Sequence, residues 1–221
     1  MSVATQSVQK VYCSCNEINS LSGTNIFVDC SQTFMIGVQP TGGSFWYTHG
    51  MKMYFISGVS GVGKTSSMEI LKKDLSEQYV VKDFDERGVP KGGGRPWRLA
   101  ETQYWILEGK RFALEEKILI VCGLVNPEEL ALMEETKEVE VKIILLDAPG
   151  EVIAKRLNKR NSDEKVRTGL EQTVGSVDAF IKGSSDFAPI LRDICIEGNV
   201  PVVDTAEMTP DEVVVEIKKY L

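Results

Sequence analysis

The sequence predicts an α/β fold, a parallel sheet with helices packed on both faces. Three observations carry that reading. From Met51 onward, short apolar strand candidates alternate with helix-length segments, the pattern of strands joined by crossover helices. Most of the strand candidates are apolar on both faces, as buried parallel strands are. Nearly all the charge also lies in this region. Lys10, Glu17 and Asp29 are the only charged residues before Met51, out of 25 basic and 32 acidic residues in a chain of 221.

Each element has its own local reason. Residues 53–57 (Met-Tyr-Phe-Ile-Ser) form a short apolar strand candidate. Residues 65–77 read as a helix, with Met68, Leu71 and Leu75 at helical spacing. Residues 79–84 read as a second strand. Residues 97–115 form a second helix whose expected apolar face is Trp97, Ala100, Tyr104, Leu107 and Leu114. An uninterrupted apolar strand follows at 118–122, then a helix after Asn126-Pro127. Residues 139–146 are a fourth strand, and Pro149 suits the first turn of the next helix. A short fifth strand spans 200–203. The last helix opens at Thr209-Pro210-Asp211-Glu212, where threonine caps and two acids favour the positive end.

Composition excludes several functions. The formal net charge of −7 leaves no basic footprint for general binding to a nucleic-acid backbone. No stretch reaches the 18 or so apolar residues of a membrane span. Residues 1–9 carry no Lys or Arg and lead into no apolar block, unlike a secretory leader. Five cysteines are an odd number, too sparse for a disulfide scaffold, which points to a reduced, cytoplasmic protein.

Residues 1–50 read as an N-terminal extension: a small β appendage (alternating runs at 25–28 and 33–38), a weakly folded leader, or an upstream extension preceding a native start at Met51. Cys13, Cys15, Cys30 and His49 could formally supply four zinc ligands, but their spacing does not match the usual paired ligands. His49 is the one histidine, so histidine chemistry is excluded from 51–221.

The strongest motif is Gly58-Val59-Ser60-Gly61-Val62-Gly63-Lys64-Thr65. It has the P-loop pattern, and it stands after a strand and opens a helix. The glycines let successive backbone N–H groups turn towards phosphate oxygens, and the helix adds its positive end. The expected nucleotide-binding residues are Gly58, Ser60, Gly61, Val62, Gly63, Lys64, Thr65 and Ser66. Lys64 reaches β- and γ-phosphates, and the Thr65 hydroxyl joins the shell of a magnesium ion.

Other motifs narrow the class. No Asn-Lys-x-Asp signature of guanine selectivity is present, because Asn158-Lys159-Arg160-Asn161 lacks the aspartate. The strand at 118–122 ends without the acid that motor ATPases carry. The acids stand instead at Asp83-Phe84-Asp85. In an extended segment Asp83 and Asp85 share a side, and both would face the γ-phosphate. One could hold a magnesium-bound water, with Asp83 as the candidate metal organiser. The other could accept the proton of an attacking hydroxyl.

With these residues, the segment from Met51 resembles the P-loop kinases related to nucleoside monophosphate kinases, shikimate kinase and gluconate kinase. The phosphate loop, the Asp83-x-Asp85 pair, Leu146-Asp147-Ala148-Pro149, Arg156 with Arg160, and Val203-Asp204-Thr205 carry the resemblance. It spans about 170 residues and leaves the first 50 unexplained. It implies the three-layer P-loop NTPase fold, with a five-stranded parallel sheet in the order 2-3-1-4-5. It further implies an acceptor region at 86–115, and a lid at 156–172 whose Arg156 and Arg160 steady the transferring phosphoryl group. Arg87, Arg95 and Arg98 are candidate contacts for an anionic group on the acceptor.

The expected activity is transfer of the γ-phosphoryl group of ATP, with Mg2+, to a small-molecule hydroxyl such as that of a nucleoside, sugar or hydroxy acid. Transfer to a nucleoside monophosphate is the alternative if the three arginines converge on one phosphate. A regulatory nucleotide-binding module with little turnover is a further alternative. The acidic balance argues against a polynucleotide end kinase.

Overall fold

The computed structural model describes residues 51–221. The β-appendage, leader and zinc readings of residues 1–50 lie outside that range. Five parallel strands form one sheet in the order β2-β3-β1-β4-β5, the order that the kinase resemblance implies. They are β1 (Lys52–Ser57), β2 (Tyr79–Asp83), β3 (Ile118–Cys122), β4 (Glu140–Asp147) and β5 (Val202–Asp204). The intervening helices are α1 (Lys64–Asp74), α2 (Gly94–Ala113), α3 (Pro127–Leu130), α4 (Gly150–Arg160), α5 (Glu164–Val174), α6 (Val177–Glu197) and α7 (Pro210–Lys218). A 3-10 turn at Glu134–Glu138 leads into β4.

The central strand explains the three layers. Met53 to Ile56 of β1 are all fully buried. Alternation sends Tyr54 and Ile56 into one core with Met68, Leu71, Leu157 and Ile217. It sends Met53 and Phe55 into a second core with Trp105, Ile106 and Phe112. Helices α1, α4, α6 and α7 therefore cover one face of the sheet, and α2 covers the other.

Helix α2 begins three residues earlier than the sequence predicts and buries a different stripe. Its buried residues are Glu101, Thr102, Trp105, Ile106, Gly109 and Phe112. Leu107 and Leu114, expected to face inward, are 49% and 82% exposed. Close approach decides the face. A Cβ at Gly109 would come within 2.7 Å of the Met53 sulfur, so glycine lets the helix settle close to β1 with the Met53 side chain undisturbed. Trp105 then reaches the strand end and donates from Nε1 to the Phe84 carbonyl at 3.1 Å.

The ends behave as their residues direct. Thr209 and Glu212 form a reciprocal capping box on α7. Asp163 and Ser176 cap α5 and α6 through side-chain oxygens. Because all five strands are parallel, their C-terminal ends open at one edge of the sheet, where ligands bind in open α/β folds. The phosphate loop, the turn after Asp83, Gly123, the Ala148-Pro149 link and the Thr205 loop all emerge there. Among the described residues, no helix is long and apolar enough to cross a membrane.

Candidate active site

A cleft of about 1450 Å³ runs along that edge. The phosphate loop forms its floor. Gly58 has a positive φ of 148° that favours glycine, and a Cβ there would stand 2.4 Å from the Leu146 carbonyl oxygen, so β4 sits hard against the loop. Gly63, at φ 104°, takes the left-handed turn that starts α1. The remaining loop residues, including Ser60, Gly61, Val62, Thr65 and Ser66, line the cleft.

The Lys64 ammonium donates to the carbonyls of Gly58 (2.6 Å) and Val59 (2.8 Å), which holds it over the loop. Burial lowers its pKa to about 8, and the nearby Cys122, Asp85 and Asp83 only partly restore it. The proton is therefore lost as pH rises through about 8 in the free protein. An anion brought to Lys64 favours the charged form and raises that pKa again. Triphosphate binding at pH 8 to 9 is therefore expected to take up a proton. Calorimetry in buffers of different ionisation enthalpy measures this directly, and uptake should vanish below about pH 7, a full unit under the value of about 8.

The two acids sit beside this lysine. Asp83 ends β2 in register with Cys122 of β3. Asp85 lies in the turn that follows, and its backbone N–H donates to Asp83 Oδ1 at 3.0 Å. Phe84 turns the other way, into the second core, edge-on to Trp97 with centroids 5.8 Å apart. Both carboxylates line the cleft. Burial, then the neighbouring Asp83, raises the Asp85 pKa, while Lys64 pulls it down.

The arginines divide into separate groups. Arg156 is spent on the backbone: it donates to Thr205 Oγ1 (3.1 Å), the Thr205 carbonyl (2.5 Å) and the Ala206 carbonyl (3.2 Å), with Gly61 O at 3.5 Å. Buried Thr205 in turn reaches the Val62 carbonyl at 2.9 Å and the Asp147 carbonyl at 3.1 Å. Arg156 and Thr205 thus latch the phosphate loop to the ends of β4 and β5. The sequence quotes Thr205 at a strand end but gives no sign of this latch, because the bonds join positions 49 and 143 residues apart. Arg160, one helical turn on, lines the same cleft and has no ion-pair or hydrogen-bond partner among the described residues.

Arg98 also lines the cleft, but its Nη2 lies 2.8 Å from each oxygen of Glu129. Arg95 binds that same carboxylate at 2.6 Å, is 62% exposed, and is not part of the cleft wall. Burial would raise the Glu129 pKa, yet the two guanidinium groups outweigh it and hold it low. Arg87 stacks on the Tyr104 ring, 3.7 Å from its centroid, and pairs with buried Glu101 at 3.4 Å. Arg87, Arg95 and Arg98 therefore do not meet at one point. Glu129 escaped the sequence reading because it stands on α3, 31 residues from Arg98.

Among the described residues no three His, Cys, Asp or Glu side chains cluster as a metal site. Thr65 and Asp83 both line the cleft. Two protein oxygens are too few for a free cation, but they suit a magnesium ion that arrives on phosphates and keeps several waters.

No protein-family model matches the chain. A protein of Pyrococcus abyssi (strain GE5 / Orsay) named "Putative adenylate kinase" is 29% identical over 170 residues, covering 73% of this chain and 79% of its own. Among solved structures, a shikimate kinase from Acinetobacter baumannii in complex with shikimate is 15% identical, covers 76% of this chain and 91% of its own, and superposes with a TM-score of 0.49. A gluconokinase from Sinorhizobium meliloti 1021 is 18% identical, with 76% and 89% coverage and a TM-score of 0.48. These scores are low, and it is the observed strand order together with the loop that defines the fold. The described chain has the three-layer P-loop NTPase fold and is related to the P-loop kinases.

Proposed function

We propose that the chain is an ATP- and magnesium-dependent phosphotransferase acting on a small-molecule hydroxyl in the cytoplasm. The observation that carries this reading is the approach of Asp83 and Asp85 to Lys64 at the mouth of the phosphate loop. A binding module needs the loop alone. A pair of carboxylates beside it suits proton removal from an attacking hydroxyl. The name of the Pyrococcus relative lends support to ATP as the donor.

In this mechanism the loop N–H groups and Lys64 hold the β- and γ-phosphates. The acceptor oxygen attacks the γ-phosphorus while its proton passes to Asp85. The bond between that phosphorus and the β–γ bridging oxygen breaks, and ADP carries away the electron pair. Arg160 offsets charge on the equatorial oxygens. Thr65 and Asp83 would hold magnesium, which supplies charge neutralisation between the β- and γ-phosphates. Arg156 acts one step back, fixing the loop. Residues 86–115 serve as the acceptor region, and 156–172, most of α5 included, as the lid.

Transfer to a nucleoside monophosphate is the second reading, favoured by the name of the Pyrococcus relative. Both are tested by ADP release from Mg·ATP across nucleosides, monophosphates, sugars and hydroxy acids. Asp85→Asn should lower acceptor-dependent release by about 10²-fold or more, the usual share of a general base, while leaving nucleotide affinity within a few-fold. Equal release by wild type and Asp85→Asn would reject Asp85 as the base. Nucleotide binding without acceptor-dependent release would favour a regulatory module.

A further inference from the structure

The described residues bring four cations to the cleft, and each has an assignment before any acceptor enters. Lys64 lies on loop carbonyls and belongs to the donor phosphates. Arg156 is bound to the Thr205 and Ala206 carbonyls. Arg160, without a partner among the described residues, lines the cleft one helical turn after Arg156 and is assigned to the transferring group. Arg98 is on the acceptor side, and its charge is met by Glu129, whose side chain is only 12% exposed. An acceptor's own anion would face Asp83 and Asp85 with no unassigned cation among the described residues to offset them, and like charges at a site cost affinity.

Much of the remaining wall is apolar, with Thr173 and Ser184 as small polar residues on the α5 and α6 side. Phe84 and Trp97 stand edge to face on the α2 side. Leu124, Leu170, Phe180 and Phe187 line the cleft from the end of β3 and from α5 and α6. Beyond Arg156 and Arg160 the lid adds no cation to the wall: Lys159, Lys165 and Arg167 are not part of it, and Arg167 is paired with Asp178 at 2.9 Å. Apolar walls around a few fixed polar groups suit a ligand with a ring face.

We propose that the acceptor is an uncharged hydroxyl compound built on an apolar ring, of nucleoside or aromatic-alcohol chemistry, and neither a phosphate ester nor a sugar acid. The hydroxyl meets Asp85, the ring lies between Trp97 and the Leu170–Phe187 side, and Arg98 offers hydrogen bonds with its charge already met. Glu129 is then a specificity-determining residue, because it cancels the one cation that an anionic acceptor would use. The assignment rests on the phosphotransferase reading, but its test does not.

The test is calorimetric titration of the full chain loaded with Mg·ADP, using matched pairs: thymidine and cytidine against their 5′-monophosphates, and glucitol against gluconate. Each neutral member should bind about tenfold or more tighter than its anionic partner, and the nucleosides tighter than glucitol, a span that one pocket contact ordinarily sets. Glu129→Gln should then gain affinity for the monophosphates by about tenfold and acquire a weak site for inorganic phosphate, and Glu129→Gln/Arg98→Gln should lose both gains.

A monophosphate binding wild type more tightly than its nucleoside overturns the assignment, as does glucitol matching the nucleosides or a failure of every neutral compound to bind. A Glu129→Gln protein that gains nothing removes Glu129 from it. ADP release is read separately. Neutral compounds that bind in the expected order without ADP release uphold the pocket chemistry and reject phosphotransfer. Monophosphates that bind best and drive ADP release do the reverse.

Discussion

Lys64→Ala is expected to lower acceptor-dependent ADP release by about 10²–10³-fold, the cost of removing one preorganised donor from developing charge. Among the described residues Lys64 holds the only ammonium lining the cleft, and neither Arg156 nor Arg98 is free to replace it. The fold should tolerate the change. A half-buried lysine whose pKa has fallen to about 8 carries a desolvation penalty. Its removal takes that penalty away, while the Gly58 and Val59 carbonyls lose one donor. The two effects oppose, so the melting temperature should stay within a few degrees of wild type. Thermal melts and single-turnover assays on the same preparation separate the outcomes. A folded variant with unchanged turnover would reject the role of Lys64; a variant that unfolds would reject the energetic account of its burial.

How much of this was legible in the sequence depends on how local the cause is. The phosphate loop, the strand at 118–122 and the Thr209–Glu212 cap are written in residues a few positions apart, and they stand where the pattern puts them. Asp83 and Asp85 share the cleft because a strand end sets their side, again a local cause. The strand order was available only through resemblance, since nothing within a strand names its neighbour.

Helix α2 misled because periodicity offers two apolar stripes and cannot say which one meets the sheet. The stripe that meets it carries Trp105, Ile106, Gly109 and Phe112, with Gly109 close against Met53, 56 positions away. The arginines were harder still. Arg87, Arg95, Arg98 and Arg156 all read as candidate anion contacts, yet their partners Glu101, Glu129 and Thr205 come from other elements or another turn. A charge's role depends on what neutralises it, and that is settled by tertiary contact.

Gly123→Ala is expected to have the largest effect on stability. Gly123 follows β3 and is buried, and its amide donates to the Ile56 carbonyl at 3.1 Å. A Cβ there would stand 2.1 Å from Phe84 Cβ and 2.5 Å from Cγ. Phe84 cannot retreat easily: its amide donates to the Cys122 carbonyl at 3.0 Å, and its carbonyl accepts from Trp105 at 3.1 Å. The clash must therefore spread into the β2–β3 ladder or the Asp83–Asp85 turn. Overpacking of this kind costs about 3 kcal/mol at the upper end of the usual range. At about 2–4 °C per kcal/mol for a domain of this size, the melting temperature should fall by roughly 6–12 °C.

Activity should fall with it even below the melting range, because the turn that carries both acids is displaced. Phe84→Ala removes Cγ and the ring but leaves the Cβ contact. The double variant should therefore lose less stability than the two single changes added together, with a coupling of about 1 kcal/mol or more. Gly169→Ala provides the control. Gly169 lies within α5, and a Cβ there meets nothing within 4 Å, so alanine should be neutral or stabilise by up to about 1 kcal/mol through helix preference alone. If Gly123→Ala melts with the control, the packing of Phe84 against β3 does not hold the Asp83–Asp85 turn in place.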